Sequence, residues 1–200
     1  MFLNVPYDRR YEPVFIGLVA AVLALGRKPR CTLEIQDRGQ GRPERIFEIL
    51  EGTRISFHDL SRAGVPARFN MPFELGLAVA LKRYWGRHDW FVLEASPYRV
   101  QRTLSDLKLT EEHIHRNGPR IAVSCVLDAL STNRRSPEPR AVERLRRRMA
   151  IVAQEVKRNY GRRDIFYRAT FRRFLSASIV LARRDGFIKD RRDLRRGGRA

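Results

Sequence analysis

Asp59 closes a strand-like run, and after a polar loop the segment Asn70-Met71-Pro72-Phe73-Glu74-Leu75-Gly76 leads into a helix. Pro72 suits the first helical position, where a missing N–H costs nothing, and this places Glu74 in the first turn. The positive end of the helix dipole favours a carboxylate there, so Glu74 is expected to stay charged. Such a carboxylate either complements the dipole and no more, or faces a crevice and stabilises positive charge developing on a substrate. His58 precedes Asp59, and because alternate strand residues face opposite sides it is expected to point into the packing of the sheet. His113 and His115, at i and i+2 near a helix end, share no helical face and are not expected to hold a metal. Cys31 and Cys125 match no metal spacing and read as small core residues. Arg9 and Arg10 either meet a phosphate at the mouth of a pocket or are surface charge. Tyr98 and Arg99 either reach the same crevice or pack. Gly39-Gln40-Gly41 does not follow the first strand and is no dinucleotide fingerprint.

The elements that must position these residues follow from periodicity. Met1 to Val5 is a short apolar run stopped by Pro6, a first strand. Val14, Phe15, Leu18, Val19, Val22 and Leu23 repeat at helical spacing between Tyr11 and Leu25, and Gly26 ends that helix. A second strand is expected around Arg30 to Ile35, before a Gly/Arg-rich loop at Asp37 to Arg42. A helix then runs from Pro43 to Leu50, with Gly52 after it. Arg54 to Leu60 reads as a third strand, Phe73 to Leu81 as a helix, Trp90 to Leu93 as a fourth strand, and Val100 to Leu107 and Ile121 to Leu130 as helices. Strands alternating with helices at this spacing predict a parallel sheet with helices on both faces. Ligands of such sheets bind at the carboxyl ends of the strands, where the winding reverses. Pro6-Tyr7-Asp8, His58-Asp59-Leu60 and Asn70 to Glu74 should gather there.

Ser131 to Pro139 is a polar linker, and the chain beyond it differs in kind. Ala141 to Tyr160 carries Val142, Leu145, Met149, Val152, Ala153 and Val156 on one helical face with arginines opposite, and Ile165 to Leu181 repeats the theme. The stretch from Lys189 to Ala200 is nearly devoid of apolar residues and is expected to be disordered. The division is therefore an α/β domain over residues 1–132 and a basic helical extension over 133–200. The charge follows it. Of a net +19 over 200 residues, 21 basic and 7 acidic residues between 135 and 200 supply +14. Such an excess attracts polyanions, whether nucleic acid, acidic lipid headgroups or an acidic protein partner, or is only solvated surface. Two distant cysteines suit a reducing compartment, and the apolar run Val14 to Leu25, interrupted by Gly17 and preceded by Asp8 and Glu12, is too short to span a bilayer. A cytoplasmic protein with no membrane partner is expected.

Strand-Asp59, loop, then Phe73-Glu74-Leu75-Gly76-Leu77-Ala78 opening a helix resembles the nucleoside 2-deoxyribosyltransferase family, and is similar also to Toll/interleukin-1 receptor (TIR) domains. Phe2-Leu3-Asn4-Val5-Pro6-Tyr7 is similar to the first strand of these families and the loop after it. The resemblance spans roughly residues 1 to 130. It implies a Rossmann- or flavodoxin-like α/β fold and a nucleotide or nucleoside ligand. By the same resemblance Glu74 is the catalytic carboxylate and Asp59 the substrate-contacting one, Tyr7 lies near base or sugar, and Asn70 occupies a polar position of the binding loop; Asp8 and Arg9, from their place after the first strand, are further substrate-binding candidates. The implied activity is an N-glycosidase or base transferase acting on NAD or a related nucleotide or nucleoside, with NAD a substrate and no cofactor. The passage through an oxocarbenium-like transition state suits a carboxylate that stabilises or traps it. A cationic nicotinamide leaves without a proton, whereas a neutral base needs a general acid such as Asp59 with a raised pKa. The resemblance further implies a homo-oligomer and a toxic effector in bacterial antiviral defence. A non-catalytic nucleotide sensor, and a nucleic-acid or partner-binding protein acting through residues 135–200, are the alternatives.

Overall fold

In the computed structural model, residues 1–34, 41–62, 70–107, 110–130 and 136–189 are described. The expected Gly/Arg-rich loop, the start of the linker and the expected disordered end fall largely outside them. The chain begins with strand β1 (Phe2–Asn4), continues into helix α1 (Glu12–Ala24), and passes a short 3-10 turn at Thr32–Glu34. Then come α2 (Arg42–Glu51), β2 (Ile55–Asp59), α3 (Asn70–Trp85), β3 (Asp89–Glu94), α4 (Arg99–Thr103), β4 (Glu112–Ile114), α5 (Pro119–Ala129), α6 (Pro139–Asn159) and α7 (Arg168–Arg184). The four strands form one parallel sheet in the order β1-β2-β3-β4. A parallel bridge between Phe2 and Arg30 adds one residue on the free side of β1. Counted with that bridge, the second extended segment lies outside the first and the rest run off the other side. This is the flavodoxin-like order, whose winding reverses between β1 and β2.

Two expectations about strands need correction. Of the strand expected at Arg30 to Ile35, the described residues, which end at Glu34, keep only the single bridge, because Glu34 folds back on them. Its Oε1 accepts from the Cys31 N–H at 3.0 Å and its Oε2 pairs with Arg30 Nε at 3.0 Å, drawing the chain into a turn. The second is an omission: Glu112–Ile114 is an edge strand, paired to Val92–Glu94. Its three residues are only half-buried, so no hydrophobic alternation betrays it. The remaining elements lie where the periodicity placed them, within a few residues at their ends.

Side-chain alternation sorts the sheet into two faces. Leu3, Val5, Phe57 and Leu93 face α1 and α5, while Phe2 packs with Ile46, Leu50, Ala78 and Leu81 of α2 and α3. Twelve of the thirteen residues of α1 are buried, as expected of a helix that is apolar all round. Its outer side is covered by α6 and α7 through Leu145, Met149, Phe171 and Phe174, which continue the same core. Each such fully buried side chain contributes on the order of 1.5–3 kcal/mol. The extension is also tied down by charge. Buried Glu12 receives Lys157 Nζ at 2.5 Å and the Ile165 N–H at 3.0 Å. No helix among the described residues is long and apolar enough to cross a membrane.

Gly17 lies where α1 meets α5. A Cβ there would stand 2.4 Å from the carbonyl oxygen of Pro119, so the helices touch only because Gly17 has no side chain. Alanine in a helix interior normally gains about 1 kcal/mol over glycine, but overpacking against backbone costs up to about 3 kcal/mol or more. Gly17→Ala should therefore lose about 2 kcal/mol, read as a lowered urea midpoint at constant slope. An unchanged or raised midpoint would show that the contact yields freely.

Candidate functional site

The sheet brings polar residues together from distant parts of the chain, and alternation divides them between its two faces. On the α2/α3 face, Asn4 and His58 are cross-strand partners. Asn4 Nδ2 reaches Met71 O at 3.3 Å and His58 Nδ1 at 3.0 Å, His58 Nε2 lies 2.8 Å from Ser56 Oγ, and Ser56 Oγ lies 2.8 Å from His88 Nε2. His88 Nδ1 ends the series 3.0 Å from Thr53 O. A carbonyl at each end only accepts, so one assignment satisfies every member. Asn4 donates to His58 Nδ1, His58 Nε2–H to Ser56, the Ser56 hydroxyl to His88 Nε2, and His88 Nδ1–H to Thr53. Both imidazoles are neutral in this assignment. Burial, helped by His88, pushes the His58 pKa down to about 3, and burial also lowers that of His88. His58 thus faces the packing, as its position beside Asp59 predicts. The relay holds the Met71 carbonyl, and with it the start of α3, against the sheet.

The other face belongs to Asp59. Its carboxylate is fully buried, accepts from the Tyr11 hydroxyl and lies 2.8 Å from His115 Nε2 through Oδ2, and accepts from the Ser61 N–H at 2.9 Å through Oδ1. Ser61 Oγ stands 3.0 Å from the same His115 Nε2. Nδ1 of His115 receives the Asn117 N–H at 3.0 Å, in a turn where Arg116 and Asn117 adopt positive φ of 50° and 56°. Ser, His and Asp therefore meet here, but not as a nucleophilic triad. Serine and aspartate share one ring nitrogen, the other is taken by backbone, and all three are buried. Burial, then the Asp59 charge, raises the Tyr11 pKa well above its usual 10.0, so the phenol keeps its proton. Beside this cluster Glu94 is 1% exposed, lies 3.4 Å from Arg99 Nε and has its pKa raised, chiefly by burial. Arg99 Nη1 also donates to Ser61 O at 2.9 Å.

Tyr7 is half-buried, its hydroxyl accepting from the Thr32 N–H at 3.2 Å and bonded to Thr32 Oγ1 at 2.9 Å, its ring 5.4 Å from that of Phe166. Its pKa rises well above 10.0, foremost by burial, and the Glu74 charge is among the contributors. Glu74 is 1% exposed. Tyr7 and Glu74 are thus brought within electrostatic reach. The expectation that Glu74 lies in the first helical turn is corrected: α3 already runs from Asn70, so Glu74 stands a turn deeper, away from the helix end whose dipole would favour its charge. Asp59 points from β2 to the α1/α5 face, whereas Glu74 is on α3, which covers the other. Asp8 belongs to the Tyr11 side, accepting from the Tyr11 N–H at 3.0 Å and pairing with Arg62 Nε at 3.3 Å. Arg9 and Asn70 are exposed. Residues 63–69, between β2 and α3, lie outside the described residues.

Tyr11, Ser61, Glu94 and His115 carry no motif in the sequence, and only the polar residues flanking an unpredicted strand could have pointed to His115. Arg99 does reach the cluster, while Tyr98 is 61% exposed. His113 faces Phe91 instead, with ring centroids 5.8 Å apart. Among the described residues no group of three or more His, Cys, Asp or Glu is placed to hold a metal ion. Comparison with known proteins yields no similarity to report: no protein-family model, no curated protein and no solved structure matches the chain.

Proposed function

We propose that this chain is an N-glycosidase that cleaves the bond between base and ribose in NAD or a related nucleotide, with Glu74 as the carboxylate that stabilises or traps the oxocarbenium-like transition state. The observation that carries this reading is a carboxylate, 1% exposed, on the helix following β2. It stands beside the winding reversal where sheets of this order bind ligands, within electrostatic reach of the aromatic Tyr7. Buried carboxylates are costly, and they cluster where chemistry uses them.

Asp59 bears on the choice of substrate. Both of its oxygens are engaged by Tyr11, Ser61 and His115 within the core, which suits an anchor better than a proton donor. A leaving group that is already cationic, such as nicotinamide, needs no donor. NAD is accordingly preferred to nucleosides with neutral bases. Cys31 and Cys125 are free and buried, their thiols pushed up to about 12 and about 11 by burial, which makes them core residues rather than nucleophiles.

Incubation with NAD and a panel of nucleotides, followed by chromatography, tests the proposal. Wild type should release free base, and Glu74→Gln should lose roughly 10²–10⁴-fold in rate while keeping its denaturation midpoint. Full turnover by Glu74→Gln would refute the assignment. Saturable nucleotide binding without product would favour a sensor.

A further inference from the structure

The basic extension meets the rest of the chain at a place with chemical meaning. Glu12 opens α1 at the carboxyl edge of the sheet, and its carboxylate is held by Lys157 and by the Ile165 N–H. The turn between α6 and α7 therefore sits on the same edge as the candidate site. Its Phe166 ring packs 5.4 Å from Tyr7, the residue whose hydroxyl feels the Glu74 charge. The turn is stiff. α6 closes with the Gly161 N–H on Arg158 O at 3.2 Å and the Arg162 N–H on Lys157 O at 2.9 Å, with Gly161 at a φ of +59°, a helix-ending motif that fixes the direction of the departing chain. Asp164 Oδ1 then accepts from the Phe166 N–H at 3.0 Å, and the Arg162 guanidinium lies 4.4 Å from the centroid of the Tyr167 ring.

Four exposed arginines collect at this edge. Arg9 and Arg10 are in the loop just before Glu12, and Arg162 and Arg163 just before Ile165. The carboxylates around them are already engaged: Asp8 with Arg62 and the Tyr11 N–H, Glu12 with Lys157, Asp164 with Phe166. Among the described residues none of the four arginines makes an ion pair. Exposed guanidinium groups without a carboxylate partner are suited to recognising phosphate oxygens bidentately.

We infer that the α6–α7 turn is part of the ligand site, and that Arg162 and Arg163, with Arg9 and Arg10, bind the phosphate groups of the ligand. The site therefore takes phosphorylated nucleotides in preference to nucleosides. This rests on the reading that the Glu74 crevice binds a nucleotide base and sugar. It also gives part of the extension's charge a local task, distinct from non-specific attraction of nucleic acid along the whole helical pair.

Titration calorimetry of the full chain with adenosine, ADP and NAD tests it, using Arg162→Ala/Arg163→Ala and, as a control, Arg183→Ala/Arg184→Ala. The control removes the same charge from the far end of α7, where Phe187 lies against Gly26 beyond the end of α1. Wild type should bind ADP and NAD at least tenfold more tightly than adenosine. The turn variant should lose tenfold or more for ADP and NAD and nothing for adenosine, and the control should stay within twofold of wild type. Equal affinity for adenosine and ADP would overturn the inference while leaving the glycosidase reading intact. Equal losses in the two variants would replace a local site with diffuse attraction of polyanions, nucleic acid included. Failure of all three probes to bind wild type would overturn both the inference and the reading beneath it.

Discussion

Asp59→Ala is expected to yield a chain that is largely unfolded or melts far below wild type, not a folded protein lacking activity. The substitution leaves the Tyr11 hydroxyl, His115 Nε2–H and the Ser61 N–H in the core without the acceptor they share. A buried donor deprived of its partner costs about 1–3 kcal/mol, so three of them put the loss at roughly 3–9 kcal/mol. Whole-domain stabilities are only about 5–15 kcal/mol. Urea denaturation followed by circular dichroism reads the effect directly. Tyr11→Phe removes one donor and keeps the acceptor, and it should cost only about 1 kcal/mol. The contrast with Glu74→Gln separates the two carboxylates: one variant loses stability, the other turnover. If Asp59→Ala keeps the wild-type midpoint and loses turnover alone, Asp59 acts on substrate and is not an anchor.

The second large effect is set by acid. In the folded chain His58 titrates at about 3, against an ordinary value of 6.5, because burial and its neighbour His88 both oppose a charge. The unfolded chain therefore takes up a proton that the folded chain refuses. The contribution is fully present above pH 6.5 and is lost as pH falls from there towards 3. The slope approaches 1.36 kcal/mol per pH unit, so about 3 kcal/mol has gone at pH 4 from His58 alone. His88, also lowered, adds to the loss in the same direction. Glu94 opposes it: its raised pKa means the folded chain binds a proton more readily there, which offsets part of the fall. Glu143, held down to about 2 by Arg146 and Arg147, loses its contribution only below about 4.5. Between pH 6.5 and 4.5 Glu143 is therefore silent, and the fall set by the relay is offset only in part by Glu94. Denaturation midpoints across that interval, followed by tryptophan fluorescence, should fall steadily, and a flat profile would mean that the folded relay accepts protons.

Much of the scaffold was legible because it rests on periodicity. α6 buries Val142, Leu145, Met149, Ala153 and Val156 at helical spacing, and β2 and β3 are apolar runs between turn residues. The paired carboxylates were legible for a local reason, a strand end followed by a helix start. The bonds that decide their roles were not. Tyr11 and His115 reach Asp59 across 48 and 56 positions of sequence, and no window short enough to show a period contains both ends. β4 escaped because an edge strand of Glu112, His113 and Ile114 needs no buried face. The helical extension looked separable because its composition differs from what precedes it. Composition reports what faces water, whereas the contact with α1 is made by Leu145, Met149, Phe171 and Phe174, residues ordinary for any core.

Glu12 sets a timetable for the nascent chain. Its partners, Lys157 and the Ile165 N–H, are 145 and 153 positions downstream. At about 5–20 residues per second, they leave the ribosome roughly 7–30 s after it does. Throughout that interval the first helix exists, if at all, with its outer flank bare and a carboxylate that has nothing to neutralise it. The strands can pair in the meantime, but the first turn of α1 can settle only once the hairpin has been translated and has folded back. The chain is thus obliged to finish its earliest helix late, and its most apolar segment is the one left longest for chaperones to guard.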